Sequence, residues 1–124
     1  MVAYPALALE LQAATPVAGF ALQNGTPTIL SWTAPSDGQL HRVLVFGSLD
    51  MTSSGTGGAV SVSSTAPDGS SASLIMFSAN ANNTLHYPNF PYPIVVGAGT
   101  TVSVVQASAL TAGAGVLWAE IWGS

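Results

Sequence analysis

The two histidines are the first residues to consider for metal chemistry, because the sequence contains no cysteine. His41 precedes Asp50 by nine residues, and His86 lies far from both along the chain. Protein zinc sites are usually built from His and Cys ligands at short, regular spacings, and neither histidine has such a neighbour. We therefore predict no metal and no cofactor, and we interpret His41 as a hydrogen-bonded or interfacial residue.

Serine is abundant, and a serine nucleophile would need a base beside it and a third group that orients the base. No serine lies in a Gly-x-Ser-x-Gly motif followed by a helix, which is the sequence signature of a hydrolase nucleophile. The sequence predicts that the protein is not an enzyme.

The aspartates are better explained by turns than by calcium. Asp37-Gly38 and Asp68-Gly69 are typical turn pairs, since Asp can accept a hydrogen bond from the backbone two residues on and Gly tolerates positive φ. A calcium ion would need about six to eight oxygen ligands converging from separate loops. The glycine cluster at residues 55–58 has no lysine and is interpreted as a turn, not as a phosphate-binding loop.

Aromatic residues carry most of the remaining chemical information. Residues 87–93 contain three aromatics (Tyr87, Phe90 and Tyr92) alternating with three prolines. Flat rings in a rigid loop suit sugar stacking or a peptide contact, and they equally suit a loop that closes one end of a core.

Two tryptophans lie four residues apart near the end of the sequence, at Trp118 and Trp122. This spacing places both on one face of a strand. This face is either part of the core or a seam between subunits; we favour the core for Trp118 and an interface for Trp122.

Charge is scarce in this chain of 124 residues: one arginine, no lysine and five acids, 5% in all, where soluble domains average about 25%. A single cation, Arg42, cannot neutralise several phosphates, which excludes a nucleic-acid-binding module. Disorder is excluded as well, since 48% of the residues are hydrophobic.

A surface with so few charges suggests that much of it is buried against other protein molecules, because charged residues usually make up about 25–35% of the surface of small soluble domains. Residues 40–49 support this interpretation, since both faces of the predicted strand are partly apolar. The alternative is a monomer kept soluble by Ser, Thr, Asn and Gly.

Turn signals recur every 8–14 residues or so, and between them lie short runs rich in Val, Ile, Leu, Thr and aromatics. The runs are residues 6–11, 28–33, 40–49, 60–63, 74–79, 101–105 and 116–121. No run fits a helix of several turns. The pattern predicts an all-β fold, an antiparallel β-sandwich of about eight strands, and among such folds we favour a jelly roll.

We expect one domain in total, with residues 24–124 forming the sandwich and residues 1–23 forming an N-terminal strand or arm. Residues 1–5 lack the basic region of a signal peptide, so we expect none. Asn, His and Pro residues interrupt the uncharged stretch 69–119, so we expect no membrane span.

From residue 24 to residue 122 the layout resembles the small capsid decoration (cement) proteins of tailed bacteriophages. The resemblance rests on pattern and composition, in residues 28–33, the turn at 35–38, residues 40–46, residues 57–62 and the closing strand 116–122.

The resemblance implies a β-sandwich protomer, usually in a homotrimer, on the outer capsid surface of a virion, with itself and a major capsid protein as partners. It transfers no catalytic residue. The residues expected at interfaces are Tyr4, Leu7, Leu9, His41, Arg42, Tyr87, Phe90, Tyr92 and Trp122. The alternative function is a carbohydrate- or receptor-binding sandwich of a tail or fibre, with residues 87–93 as the binding loop.

Overall fold

The computed structural model describes residues 9–17, 19–22, 25–51, 58–79, 85–86, 94–106 and 115–124. Every regular element in these residues is a β-strand. The strands are β1 (Glu10–Ala14), β2 (Phe20–Ala21), β3 (Thr28–Thr33), β4 (His41–Met51), β5 (Gly58–Thr65), β6 (Ser71–Ala79), β7 (Leu85–His86), β8 (Ile94–Val96), β9 (Thr101–Gln106) and β10 (Gly115–Gly123). No helix in this described part is long and apolar enough to cross a membrane.

The strands form two antiparallel sheets. In the first sheet β10 lies between β1 and β4, and nine consecutive residues of β10 pair with β4. The short strand β2 also pairs with β10, on the side of β1, while β7 and β8 both pair with the far edge of β4. The second sheet has the order β3-β9-β5-β6.

This connectivity is that of a jelly roll. In the first sheet, β1 and β2 together occupy one edge position, and β7 and β8 together occupy the other. Each sheet therefore has four strand positions. Successive positions along the chain alternate between the two sheets, except at the β5–β6 hairpin. Such alternation produces the paired Greek keys of a jelly roll. The predicted antiparallel sandwich of about eight strands is confirmed.

The core lies between the inner faces of the two sheets. Alternate residues of each strand point inward, as the period of two requires. The buried apolar side chains of the first sheet are Val43, Val45, Leu49, Val96, Leu117, Ala119 and Ile121, and those of the second are Val60, Val62, Val102 and Val104. Burial of this apolar surface, at about 25 cal/mol per Å², is the main force that holds the sheets together.

One end of the core is closed by a contact between Trp32 of β3 and Gly123 of β10. A Cβ atom built on Gly123 would lie 2.7 Å from Cη2 of Trp32, so a side chain at this position would force the indole to move. The same indole meets the ring of His41 edge to face, with ring centroids 6.4 Å apart. Glycine at position 123 therefore allows the two sheets to approach closely here.

The predicted strands agree with the structure wherever alternation is sustained. The run 28–33 coincides with β3, and the runs 101–105 and 116–121 lie within β9 and β10. The first strand is displaced from the predicted run 6–11 to Glu10–Ala14, and residues 1–8 lie outside the described residues. The strand β8 was not predicted, because three residues are too few to display a period of two.

We expect Leu117→Ala to lower the free energy of unfolding by about 2–5 kcal/mol, because Leu117 is fully buried and its truncation leaves a cavity. The control is Leu40→Ala, since Leu40 precedes β4 and is 75% exposed, and its loss should change stability by less than about 0.5 kcal/mol. Urea unfolding followed by tryptophan fluorescence measures both. Equal effects of the two variants would contradict the assignment of the core.

Candidate functional site

The first sheet has an outer face, directed away from the second sheet, that is unusually apolar. We define the outer face by the residues that point outward from its strands. These are Leu11 and Ala14 on β1, Ala21 on β2, Val116, Trp118, Glu120 and Trp122 on β10, Arg42, Leu44, Phe46, Ser48 and Asp50 on β4, and Val95 on β8. Most of these side chains belong to types that are normally buried.

Four large apolar side chains of this face are open to solvent. Leu11 is 48% exposed, Phe46 43%, Val95 57% and Trp118 38%. The pairing of β4 with β10 aligns Phe46 with Glu120, so that Trp118 and Trp122 lie diagonally on either side of Phe46. The centre of the outer face is therefore an aromatic cluster.

A shallow depression of about 360 Å³ opens beside this cluster. Its walls are Phe46, Trp118, Ser48 and Glu120, and its floor is formed by Gly47 and Ala119. Both floor residues are small and both point inward, so the backbone of β4 and β10 is accessible between the larger side chains. A ring or an apolar side chain from a partner would fit this space.

Glu120 is the one acid at the centre of the outer face, and a neighbouring indole fixes its position. Nε1 of Trp122 donates a hydrogen bond of 3.0 Å to Oε2 of Glu120. The two residues are two apart on one strand, so the carboxylate leans along β10 towards Trp122. A hydrogen bond to a carboxylate stabilises more than one to a neutral acceptor.

The remaining charges of the outer face lie at its two ends. Arg42 and Asp50 are exposed on β4, four residues before and four residues after Phe46. Within the described residues the guanidinium of Arg42 makes no ion pair; the ion pair found there is His41 with Asp37. The cation of the chain is therefore open to an acid from another molecule.

The structure places Trp118 and Trp122 on one face of β10, as the spacing predicted, but the prediction that Trp118 lies in the core is wrong. The inward residues of β10 are Leu117, Ala119 and Ile121, which oppose the second sheet, and Trp118 has the opposite parity. The hydrophobicity of the side chain suggested burial, whereas its position in the strand decides exposure.

His41 is buried at the edge of the core, with 5% of its surface exposed. Its Nε2 lies 2.8 Å from Oδ1 of Asp37, and its Nδ1 lies 2.6 Å from the main-chain oxygen of Ser124. Both partner atoms are acceptors, so the ring satisfies both only when each nitrogen carries a proton and donates. His41 thus ties the turn before β4 to the end of β10.

These hydrogen bonds shift two pKa values in opposite directions. The main-chain oxygen of Ser124 and the carboxylate of Asp37 raise the pKa of His41, against the opposing effect of burial. The hydrogen bond from His41 and that from the backbone N–H of Gln39 lower the pKa of Asp37. The stability that the pair contributes is therefore fully present between the unfolded pKa values of Asp and His, and it is lost as the pH falls through the lowered pKa of Asp37 or rises through the raised pKa of His41.

Of the predicted interface residues, the structure places Arg42 and Trp122 on the outer face, where Arg42 is exposed and Trp122 half-buried. Leu9 precedes β1 and is half-buried. His41 lies inside and has little surface to offer a partner. The predicted residues Tyr4, Leu7, Tyr87, Phe90 and Tyr92 lie outside the described residues.

The carboxylates of the turn residues Asp37 and Asp68 accept hydrogen bonds from the backbone of their own turns. Oδ1 of Asp68 accepts hydrogen bonds from the backbone N–H and the hydroxyl of Ser70, at 2.9 Å and 2.6 Å, and these bonds lower its pKa. Asp37 accepts from the N–H of Gln39 in the same way. Among the residues that the structure describes, no three His, Asp or Glu side chains lie close enough to hold a metal ion.

The residues that sequence reasoning missed are Leu11, Phe46, Val95 and Trp118. The signal that could have found Phe46 was present, since residues 40–49 are apolar at both parities, and one parity had to face outward. The outer face offers flat rings and one positioned carboxylate near its centre, with a cation and a second acid at its two ends. Chemically it can bury apolar surface against protein or stack against a ring.

We expect the free energy of unfolding to fall as the pH rises above about 6.5, because the raised pKa of His41 in the folded state contributes stability that is fully present below the unfolded pKa. His41→Gln should flatten this dependence, whereas Asp68→Asn, which removes a group titrating in acid, should retain it. Urea unfolding at pH 6, 7 and 8 measures the slope. An unchanged slope in His41→Gln would contradict the proposed role of the pair.

No protein-family model matches the chain. A comparison with curated proteins also finds no match. Among solved structures, the chain is similar to a protein chain in the structure of the infectious bursal disease virus Gx strain, with a TM-score of 0.57 and 11% sequence identity. The match covers 94% of this chain and 31% of the viral chain, so this chain spans about a third of the length of that protein. At this level of identity the similarity establishes the fold, a β-sandwich, and nothing finer.

Proposed function

We propose that this chain is a structural protein of a virion, a decoration (cement) protein on the outer capsid surface of a phage head. Its partners are copies of itself, in a homotrimer, and a major capsid protein. The observation that carries the proposal is a jelly-roll sandwich whose outer face exposes a cluster of large apolar and aromatic side chains. The proposal assigns the chain no catalytic residue and no cofactor.

Three features support a structural role. Jelly rolls are frequent in viral capsid domains, and the similar solved structure comes from a virus. The exposed aromatic cluster around Phe46 has the composition of the centre of a protein interface, where aromatics are enriched and charges are depleted. A net charge of −4 suits an outer surface better than contact with packaged DNA, which favours basic proteins.

The contacts that hold such a protein on a shell would be mostly apolar and hydrogen-bonded. Exposed ion pairs contribute less than about 1 kcal/mol each, and the chain can form few of them. Apolar burial contributes about 25 cal/mol per Å² and is hardly affected by screening. Repeated over many copies, a modest apolar contact would stabilise the whole shell against heat and internal pressure.

We expect the protein to stay on particles washed with sodium chloride up to about 1 M, and to raise the temperature at which the particles release their genome. Retention is measured by gel densitometry of washed particles, and release by a dye that binds DNA. Particles without the protein are the control. Loss of the protein in moderate salt, or an unchanged release temperature, would contradict the proposal.

Arg42 is the residue whose contribution to retention we expect to be electrostatic, because an isolated cation can pair with a carboxylate of the shell or of a neighbouring copy. Arg42→Gln should therefore weaken retention more than Glu10→Gln, a substitution that also changes the net charge by one.

A second function is favoured by the depression between Phe46 and Trp118. An exposed indole beside a positioned carboxylate, Glu120, and a hydroxyl, Ser48, could hold a neutral sugar by stacking and hydrogen bonds. A soluble glycan that binds the purified protein with micromolar affinity, and loses it in Trp118→Ala, would favour this function. Residues 87–93, which the alternative hypothesis assigns to glycan binding, lie outside the described residues.

A further inference from the structure

We propose that the outer face is a self-complementary surface on which two copies of this chain pair across a two-fold axis. In this arrangement the two sheets lie face to face with β4 antiparallel to β4 of the other copy, and the axis passes over Phe46. The aromatic clusters of both copies then meet at the centre. The inference goes beyond the proposed function, because it concerns the purified protein and holds with or without a shell.

The size of the outer face lies near the lower end of the range for stable interfaces. Nine paired residues of β4 and β10 extend about 30 Å, and the four strand positions of the sheet span about 19 Å. The projected area is therefore about 570 Å², and the accessible area of a corrugated face is larger. Stable interfaces of standard size bury about 800 Å² on each partner. Apart from Glu120, the centre of the face is apolar, and its other charges lie at the ends, as is typical of interfaces.

The charges at the two ends select the antiparallel arrangement. Arg42 and Asp50 point outward from one strand, each about 13 Å from Phe46, on opposite sides of it. A two-fold axis over Phe46, perpendicular to the strands and parallel to the sheet, brings Arg42 of each copy over Asp50 of the other. Two opposite-charge pairs then form from residues that make no ion pair within the described part of their own chain. Sheets that pack face to face differ by about 30° in strand direction, which displaces these ends by about 7 Å, within the combined reach of the two side chains.

On β10 the same axis places Trp118 of one copy against Trp122 of the other. It also places the two Glu120 residues, one from each copy, close to each other. This like-charge contact is the one unfavourable element of the arrangement. It is eased because each Glu120 carboxylate leans along β10 towards Nε1 of Trp122, and the two strands run in opposite directions. The carboxylates therefore diverge. Because some repulsion between them remains, removal of the charge of Glu120 should strengthen association in this arrangement.

Two-fold pairing is compatible with the proposed homotrimer. A two-fold contact joins a patch to its own copy, whereas a three-fold contact joins two different patches, so the two use separate surfaces. Pairing without a trimer gives a dimer, and pairing of trimers gives larger assemblies. In either case, loss of the pairing lowers the mass of the particle in solution.

Charge reversal on purified protein tests the pairing, with mass measured by sedimentation equilibrium. Arg42→Asp and Asp50→Arg should each weaken association by about tenfold or more, because each replaces two attractive contacts by two repulsive ones. The double variant R42D/D50R should restore it. The two single variants shift the net charge in opposite directions, so a general charge effect would weaken one and strengthen the other.

Two further variants test the centre of the surface. Phe46→Thr keeps a strand-forming residue and should weaken association by about tenfold or more, whereas Ser31→Ala, at an exposed residue of the second sheet, should leave it unchanged. Glu120→Gln should strengthen association, since it removes the repulsion between the two copies and keeps an acceptor for Trp122. Circular dichroism verifies that each variant is folded.

A wild-type protein that remains monomeric at about 100 µM would overturn the inference. Association that is insensitive to Phe46→Thr, or a double variant R42D/D50R no better than its parents, would overturn it too. Binding of a glycan to the outer face in place of a second copy would also reject it. Because all measurements use protein without particles, failure of the pairing leaves retention on washed particles as a separate test of the proposed function.

Discussion

The long antiparallel pairing of β4 with β10 is the contact on which the rest of the structure depends. It fixes the parity of every residue on the two central strands of one sheet. Val43, Val45 and Leu117 then point into the core, and the same register turns Phe46, Trp118 and Glu120 outward. A shift of one residue in this pairing register would turn the inward side chains of one strand outward and its outward side chains inward. The core and the candidate interaction surface are consequently two sides of one pairing.

The scarcity of charge has consequences throughout the molecule. Apolar burial holds the two sheets together, while hydrogen bonds fix the few polar groups at the ends of the strands. The ion pair in the described residues, His41 with Asp37, is used to hold the end of β10 against the turn before β4. The outer face exposes several large apolar side chains around Phe46 and Trp118, which is why we assign it a partner.

The fold could be predicted from the sequence where alternation and turn chemistry agree. Residues 28–33 and 116–121 alternate clearly, and Asp68-Gly69 marks the hairpin between β5 and β6. The short strand β8 could not be predicted, since its partner β4 determines its conformation. The exposure of Trp118 depends on which parity of β10 faces the second sheet, and that is decided by strands distant in sequence. His41 was interpreted as hydrogen-bonded or interfacial, and its partners Asp37 and Ser124 became evident only when the fold brought them together.

The most direct test of the central claim, that the chain is a structural virion protein whose outer face is covered by protein, is an electron cryo-microscopy reconstruction of the virus particle that carries it. The account predicts density for the sandwich on the outside of the shell, with Phe46 and Trp118 buried at a contact between protein subunits. A particle that lacks the chain, or one in which the outer face is open to solvent on every copy, would contradict the account.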